Sequence, residues 1–192
     1  MAGLRERNKA RTKAEIRQHA LRLFQEQGYA ATTIAQIARA ADVSESTLFR
    51  YFSSKEELAL QDDFAEIFVA AFRRQPASLS PISAVREAIK TGLGSQPPDV
   101  VAQEERHHWL VFATPELHAG QVRQMLEEAR VLMCVIAERV GRNPDDFEVR
   151  NLAGAVFGVM MSAMLAAWED PSVSYLDLVD EGLAHLERGL PV

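Results

Sequence analysis

Only one cysteine, Cys134, occurs in the 192 residues. No disulfide can form within the chain, and a reducing cytoplasm is the expected setting. The thiol sits in the apolar run VLMCVIA, which predicts a small buried hydrophobe rather than a redox switch. The basic opening MAGLRERNKARTKAEIRQHA is followed by no apolar stretch of the kind a secretory signal needs. Nowhere do apolar and polar residues alternate as in a half-buried strand, and there is no internal repeat or low-complexity tract. Nucleophile elbow, phosphate loop and paired catalytic carboxylates are missing too, so neither an enzyme nor a resident cofactor is expected.

What the chain does have is ample apolar content, 47%, with an ordinary 25% of charged residues, the balance of a folded protein rather than a disordered one. The net charge of −6 hides an asymmetry. Residues 1–55 hold ten Lys and Arg against five Asp and Glu, whereas the remainder holds eleven against twenty-two. A basic head on an acidic body suits a polyanion-binding module attached to something that should not bind polyanions.

The apolar periodicity is helical throughout. In AEIRQHALRLFQEQG, Ile16, Ala20, Leu23 and Phe24 make one stripe that stops at Gly28. TIAQIARAADV turns Ile34, Ile37, Ala38 and Ala41 inward, with Thr33 and Gln36 as a capping box. A short third helix follows in DVSESTLFRYFSSKEEL, with Ser44 as N-cap and Leu48 and Phe52 inward. Ser54 and Glu57 form a second capping box that opens one long helix running to about Arg74. Further on, Thr114-Pro115 and Asn143-Pro144 each read as a cap followed by proline at the first helical position.

Residues 152–168, LAGAVFGVMMSAMLAAW, carry no charge but are short for a membrane span and lack flanking basic clusters. Gly154, Gly158, Ser162 and Ala166 recur every fourth residue, while Phe157, Met160, Met161, Met164 and Trp168 cover the other faces. A helix apolar all round must be covered all round, so one side is expected on the core and the other on a second subunit.

Residues 33–52 read helix, tight turn, helix, the plan in which the second helix enters the major groove of DNA. Small hydroxyls at Ser44, Ser46 and Thr47 permit close backbone approach and can contact phosphates or base edges. Arg50 and Lys55 add positive charge suited to phosphate. A plain helical hairpin with a solvated face fits the same features.

ALRLFQEQGYAATTIAQIARAADVSESTLFRYFSSKEEL strongly resembles the DNA-binding domain of the TetR family of bacterial transcriptional regulators, over roughly residues 9 to 60. The resemblance implies an all-α homodimer of about nine helices. Its N-terminal three-helix helix-turn-helix domain would occupy residues 1–53, and a C-terminal helical ligand-binding and dimerisation domain residues 54–192. It further implies a repressor released from a palindromic operator by a small molecule. Carried over by position, Thr33 and Lys55 are phosphate contacts, Thr47 and Tyr51 lie on the DNA-facing side of the third helix, and Ser44, Glu45, Ser46 and Phe49 lie near base edges. Three positions depart from the common pattern. Asp42 stands where glycine is usual in a left-handed turn, a conformation that aspartate tolerates. Ser46 replaces a frequent glycine, and Phe49 replaces a tyrosine, trading a phenol hydrogen bond for apolar contact, as with a thymine methyl. Before the first helix, Arg5, Arg7, Lys9 and Arg11 form a basic arm that either reaches the minor groove or flanking phosphates or serves as a solubilising tail.

In the body, AFRRQPASLSP, GRNPDDFEVRNLAGAVFGV and WEDP near LDLVDEGLAHLERGL resemble the branch typified by the regulator of the mycofactocin gene cluster, which implies an acyl-CoA type of effector. Phe64, Phe68 and Phe72 lie four apart on one helix, Trp109 and Phe112 on another, and Met125 and Met133 on a third; Phe157 and Met161 join this candidate lining for an acyl chain. An ordinary helical core explains the same spacing. Arg106 and Arg130 are candidates for CoA phosphates, with a solvated face as the alternative. Adjacent His107 and His108 in EERHH point about 100° apart on a helix, which is poor geometry for one metal ion. The alternative to a DNA-binding regulator is a helical ligand carrier or enzyme on the same scaffold without DNA binding.

Overall fold

The computed structural model describes residues 3–61, 64–92, 94–170 and 172–191, apart from the side chains of Leu4, Arg5, Pro98 and Asp99. Among them are ten α-helices and no strand: α1 (Leu4–Gln27), α2 (Ile34–Ala40), α3 (Glu45–Tyr51), α4 (Lys55–Leu60), α5 (Phe64–Arg73), α6 (Pro81–Gly92), α7 (Pro98–Ala113), α8 (His118–Val140), α9 (Phe147–Glu169) and α10 (Tyr175–Glu187), with a 3₁₀ turn at Pro115–Leu117. The class is all-α, with one helix more than the nine expected. The extra one comes from a break in the helix expected to run from Ser54 to Arg74. At Gln61 the backbone turns extended, and the Gln61 carbonyl accepts a hydrogen bond from Arg17 Nε at 2.8 Å instead of continuing the ladder. No proline or glycine marks this break, so periodicity alone runs straight across it.

The chain divides into two compact units, Met1–Gln61 with Glu104–Val122, and Asp62–Gln103 with Arg123–Val192. In the first, Ile16, Ala20, Phe24, Ile37, Leu48, Phe52, Leu58 and Ala59 form one buried cluster with Val111 and Leu117. Leu58 and Ala59 tie α4 to this core, which a boundary at residue 53 would cut through. The arm expected ahead of the first helix is itself helical, because α1 begins at Leu4. Its Arg, Lys, Glu and Ala residues are strong helix formers, and Arg11 pairs with Glu15 one turn on at 3.7 Å. Gly28 ends the helix with φ 86°, its N–H bonded to the Phe24 carbonyl.

In the second unit, Phe68, Ala71 and Phe72 of α5 and Ala84, Val85 and Ala88 of α6 share a core with Leu132 and Ile136 of α8, Ala153 and Val156 of α9, and Val179 and Leu183 of α10. Arg139 donates to the carbonyls of Gln75, Pro76 and Leu79 just beyond α5, and its guanidinium lies 5.5 Å from the Phe72 ring centre.

Three local expectations need correction. Pro115 opens a 3₁₀ turn rather than an α-helix, and Thr114 Oγ1 donates backward to the Leu110 carbonyl instead of capping forward. Pro144 lies in a turn held by Asn143 Oδ1 and the Asp145 N–H, and α9 starts only at Phe147. Cys134 is exposed rather than buried. Leu132, Val135 and Ile136 take the inward side of α8, and the helical angle then carries residue 134 outward.

Candidate nucleic-acid interface and effector residues

The interface is built on caps. Thr33 Oγ1 accepts from the Gln36 N–H while the Gln36 side chain accepts from the Thr33 N–H, which completes the capping box at α2. Between α2 and α3 the chain turns through Asp42 at φ 52°, and the Val43 N–H returns to the Ala38 carbonyl at 2.9 Å. Ser44 then caps α3: its Oγ accepts from the Thr47 N–H at 3.1 Å and lies 2.9 Å from both Ser46 Oγ and Thr47 Oγ1. The three hydroxyls are thus held as one group at the helix start.

Leu48 points fully inward, and Phe52 is buried behind it. Ser44, Glu45, Ser46, Phe49 and Arg50 are consequently exposed, whereas Thr47 and Tyr51 are half-buried. Phe49 is 49% exposed, too much for a residue held by its own core. Arg50 lies against the Tyr51 ring, 5.5 Å from its centre, leaving its guanidinium at the surface. Thr33 is exposed at the start of α2. Arg7, Lys9 and Arg11 are exposed along α1, while the Arg5 side chain lies outside the described residues.

Lys55 is placed differently from a free phosphate contact. Its ammonium donates to the carbonyls of Tyr29 at 2.9 Å and Thr32 at 3.0 Å, and sits 4.2 Å from the Tyr29 ring centre. Two of its three protons therefore hold the α1–α2 connection, leaving one for a phosphate. At the second expected capping box, Ser54 Oγ accepts from the Glu57 N–H, but Glu57 Oε2 reaches one residue further back, to the Ser53 N–H at 2.6 Å.

The effector candidates fall in both units. Phe64, Phe68 and Phe72 do come together, with ring centres 6.2 and 5.7 Å apart along α5, and Met133 packs on the same cluster. Phe68 and Phe72 are 6% and 1% exposed, so packing is their first duty. Met125, Phe157 and Met161 are half-buried in the same unit, and Arg130 is exposed and paired with Glu127 at 3.1 Å. Arg106, exposed, and Trp109 and Phe112, half-buried, belong to the N-terminal unit.

Sequence reasoning missed a group in the N-terminal unit. Arg17 of α1 grips Glu104 of α7 with two parallel hydrogen bonds, 3.0 and 3.1 Å, and its Nη2 lies 3.1 Å from His107 Nδ1. His107, 1% exposed, lies with Nδ1 3.3 Å from Glu104 Oε2, and its Nε2 donates to the Ala59 carbonyl. Burial would push Glu104 up, but hydrogen bonds from His107 and Arg17 and their charge overrule it and hold the carboxyl at about 2 rather than 4.5. A depressed carboxylate contributes stability that is complete above its unfolded value and is lost as the pH falls through its folded one. Acid titration followed by carboxyl NMR should therefore find Glu104 still ionised at pH 3.5, and the N-terminal unit should lose this contribution between about pH 4.5 and 2. A Glu104 midpoint near 4.5 would contradict the geometry.

With the geometry in place, the comparisons with known proteins bear on it. Residues 16–61 match the family described as bacterial regulatory proteins, tetR family, and residues 79–191 match the MftR C-terminal domain. The HTH-type transcriptional regulator TcmR of Streptomyces glaucescens is 37% identical over 174 residues, which cover 86% of this chain and 76% of that protein. A mycofactocin biosynthesis transcriptional regulator, MftR, of Mycobacterium tuberculosis is 27% identical over 192 residues, covering 95% and 96%. Among solved structures, the TetR-type repressor FadR of Thermus thermophilus in complex with lauroyl-CoA superimposes with a TM-score of 0.58 at 22% identity, covering 94% of this chain and 95% of that one.

Proposed function

The chain belongs to the TetR family of bacterial transcriptional regulators, DNA-binding and ligand-responsive proteins, and from that premise we propose that it is a cytoplasmic homodimeric repressor, released from a palindromic operator by a small apolar effector. The observation that carries the reading is the α3 surface: a capped seven-residue helix, anchored by Leu48, offers three linked hydroxyls, Glu45, Phe49 and Arg50 to the outside. Thr33 and the spare Lys55 proton would hold phosphates, Ser44, Ser46 and Thr47 would set the close approach, and Phe49 would pack on a thymine methyl. Tyr51, backing Arg50, belongs to the same face.

The dimer is proposed through α9. This helix is long and apolar enough to cross a membrane by length and composition, and only 17% of its apolar window is buried within the chain. Gly154, Gly158 and Ser162 are exposed on it, and Leu165 and Trp168 are partly bare. A second copy covering that face would leave the apolar surface dry. Two recognition helices in such a dimer would have to sit about 34–36 Å apart to read successive major-groove faces. An effector preferring a wrongly spaced dimer would release DNA, and only to the extent of that preference.

For the effector we propose a long-chain acyl-CoA. The MftR-type C-terminal domain and the lauroyl-CoA held by the Thermus protein support this choice, as does the Phe64–Phe68–Phe72 stack with Met133. Arg130 would have to leave Glu127 to meet a CoA phosphate, and Arg106 is already exposed.

Operator binding measured against salt tests the reading. Arg50→Ala is expected to weaken binding across operator sequences and to lower the salt slope by about 1, as for one lost phosphate contact. Thr47→Ala should weaken binding with the slope unchanged, because no charge is lost. Long-chain acyl-CoA should lower operator affinity while free CoA does little. Salt-independent or absent DNA binding would end the repressor proposal, whereas indifference to acyl-CoA of every chain length would end only the choice of effector.

A further inference from the structure

A helix leaves the carbonyls of its last turn without partners, and α4, with only six residues, has little packing to compensate. At its C-terminal end those acceptors are taken from outside the helix. Arg17 Nε donates to the Gln61 carbonyl at 2.8 Å, and His107 Nε2 donates to the Ala59 carbonyl. The opposite end is tied by Lys55 to the Tyr29 and Thr32 carbonyls. Between these ties, Leu58 and Ala59 pack in the cluster that also holds Leu48 and Phe52, the inward side of the recognition helix and its end.

We infer that Arg17, Glu104 and His107 are positioning residues for DNA binding, a latch that closes on the C-terminal carbonyls of α4 only while the His107 ring is neutral. The inference rests on the DNA-binding reading above. The Ala59 carbonyl can only accept, so Nε2 carries a proton in either state. Nδ1 faces a donor on one side, Arg17 Nη2, and an acceptor on the other, Glu104 Oε2. In the neutral ring Nδ1 accepts from Arg17, Glu104 is gripped by the guanidinium fork, and each group is satisfied. A protonated ring must turn Nδ1–H to Glu104, competing with Arg17 for the same oxygen. It also sets a second positive charge 3.1 Å from the guanidinium. The groups facing the ring are Arg17 from α1, the Ala59 carbonyl from α4, and Glu104 with the stacked His108 ring, 5.7 Å between centres, from α7 itself. Because Glu104 stays anionic well below neutrality, the ring is the member that changes charge between pH 8 and 6. Acidification therefore opens the latch, frees the end of α4 and loosens the seat of α3.

The test compares the full-length protein with His107→Ala, His107→Gln and Arg17→Lys, by operator affinity from pH 8 to 6 and by hydrogen exchange of the Leu58–Gln61 amides. A glutamine amide can donate to the Ala59 carbonyl and accept from Arg17 but does not titrate, so His107→Gln mimics the closed latch. At pH 8, His107→Ala is expected to bind about tenfold more weakly and to exchange faster at α4, while His107→Gln stays within about threefold of the parent. Arg17→Lys should behave like His107→Ala, since one ammonium cannot replace four guanidinium contacts. Toward pH 6 the parent should lose affinity and α4 protection relative to His107→Gln. Parallel pH profiles for the parent and His107→Gln, or unchanged α4 exchange in His107→Ala, would overturn the latch. If His107→Ala fails to fold, the His107→Gln profile still decides. If the parent binds no DNA at all, the DNA-binding reading falls, and the exchange measurement alone decides the latch.

Discussion

Phe68→Ala is expected to lower the stability of the C-terminal unit by about 3–5 kcal/mol, a large share of what a domain of this size possesses. The ring is 6% exposed, lies between Phe64 and Phe72, and shares its cluster with α6, α8, α9 and α10. Removing it leaves a void that four helices would have to close, and close-packed helices relax only in part. Denaturant unfolding followed by circular dichroism should show a transition shifted to lower denaturant for residues of this unit. The core around Leu48 and Phe52 is a separate cluster and should keep its own transition. An unchanged midpoint would mean that Phe68 lines open space rather than core. Phe68→Asp would be worse, because a carboxylate would be buried there without a cation. Effector response is therefore better probed at half-buried Phe64 or Met133.

Gly158→Leu should convert a homodimer into monomers and reduce operator affinity by about a hundredfold or more, since the second half-site no longer binds intramolecularly. The appeal of this substitution is that the isolated fold has no reason to object to it. Nothing lies within 4 Å of where a Cβ would stand on Gly158, and leucine is a better helix former than glycine by about 0.5–1 kcal/mol. Any loss must therefore come from a close partner outside the chain, which the added methylenes would push away. Light scattering and thermal melting separate the outcomes. A dimer of normal stability would move the interface off α9, and a destabilised monomer would contradict the open surroundings of Gly158.

The sequence by itself determined what depends on neighbours a few residues apart. The helical period over Ile16, Ala20 and Phe24, the caps at Thr33 and Ser44, the stop at Gly28 and the left-handed turn at Asp42 all act over less than two turns of helix, and each is where the residues alone place it. All-α architecture and an exposed polar face on α3 follow from those signals, and with them the family. Only tertiary structure decided the rest, for two physical reasons. Where the local signal was neutral, distant contacts chose: the helix break at Gln61 follows from an Arg17 side chain 44 residues away, and the outward turn of Cys134 follows from which neighbours on α8 the core takes. Where a polar residue needed a partner, the sequence could not name it. Arg17 meets Glu104 and His107 across separations of 87 and 90 residues, and Lys55 spends its charge on two carbonyls rather than presenting it freely. Hydrogen-bond complementarity carries no period along the chain, so such groups become visible only once the helices are packed.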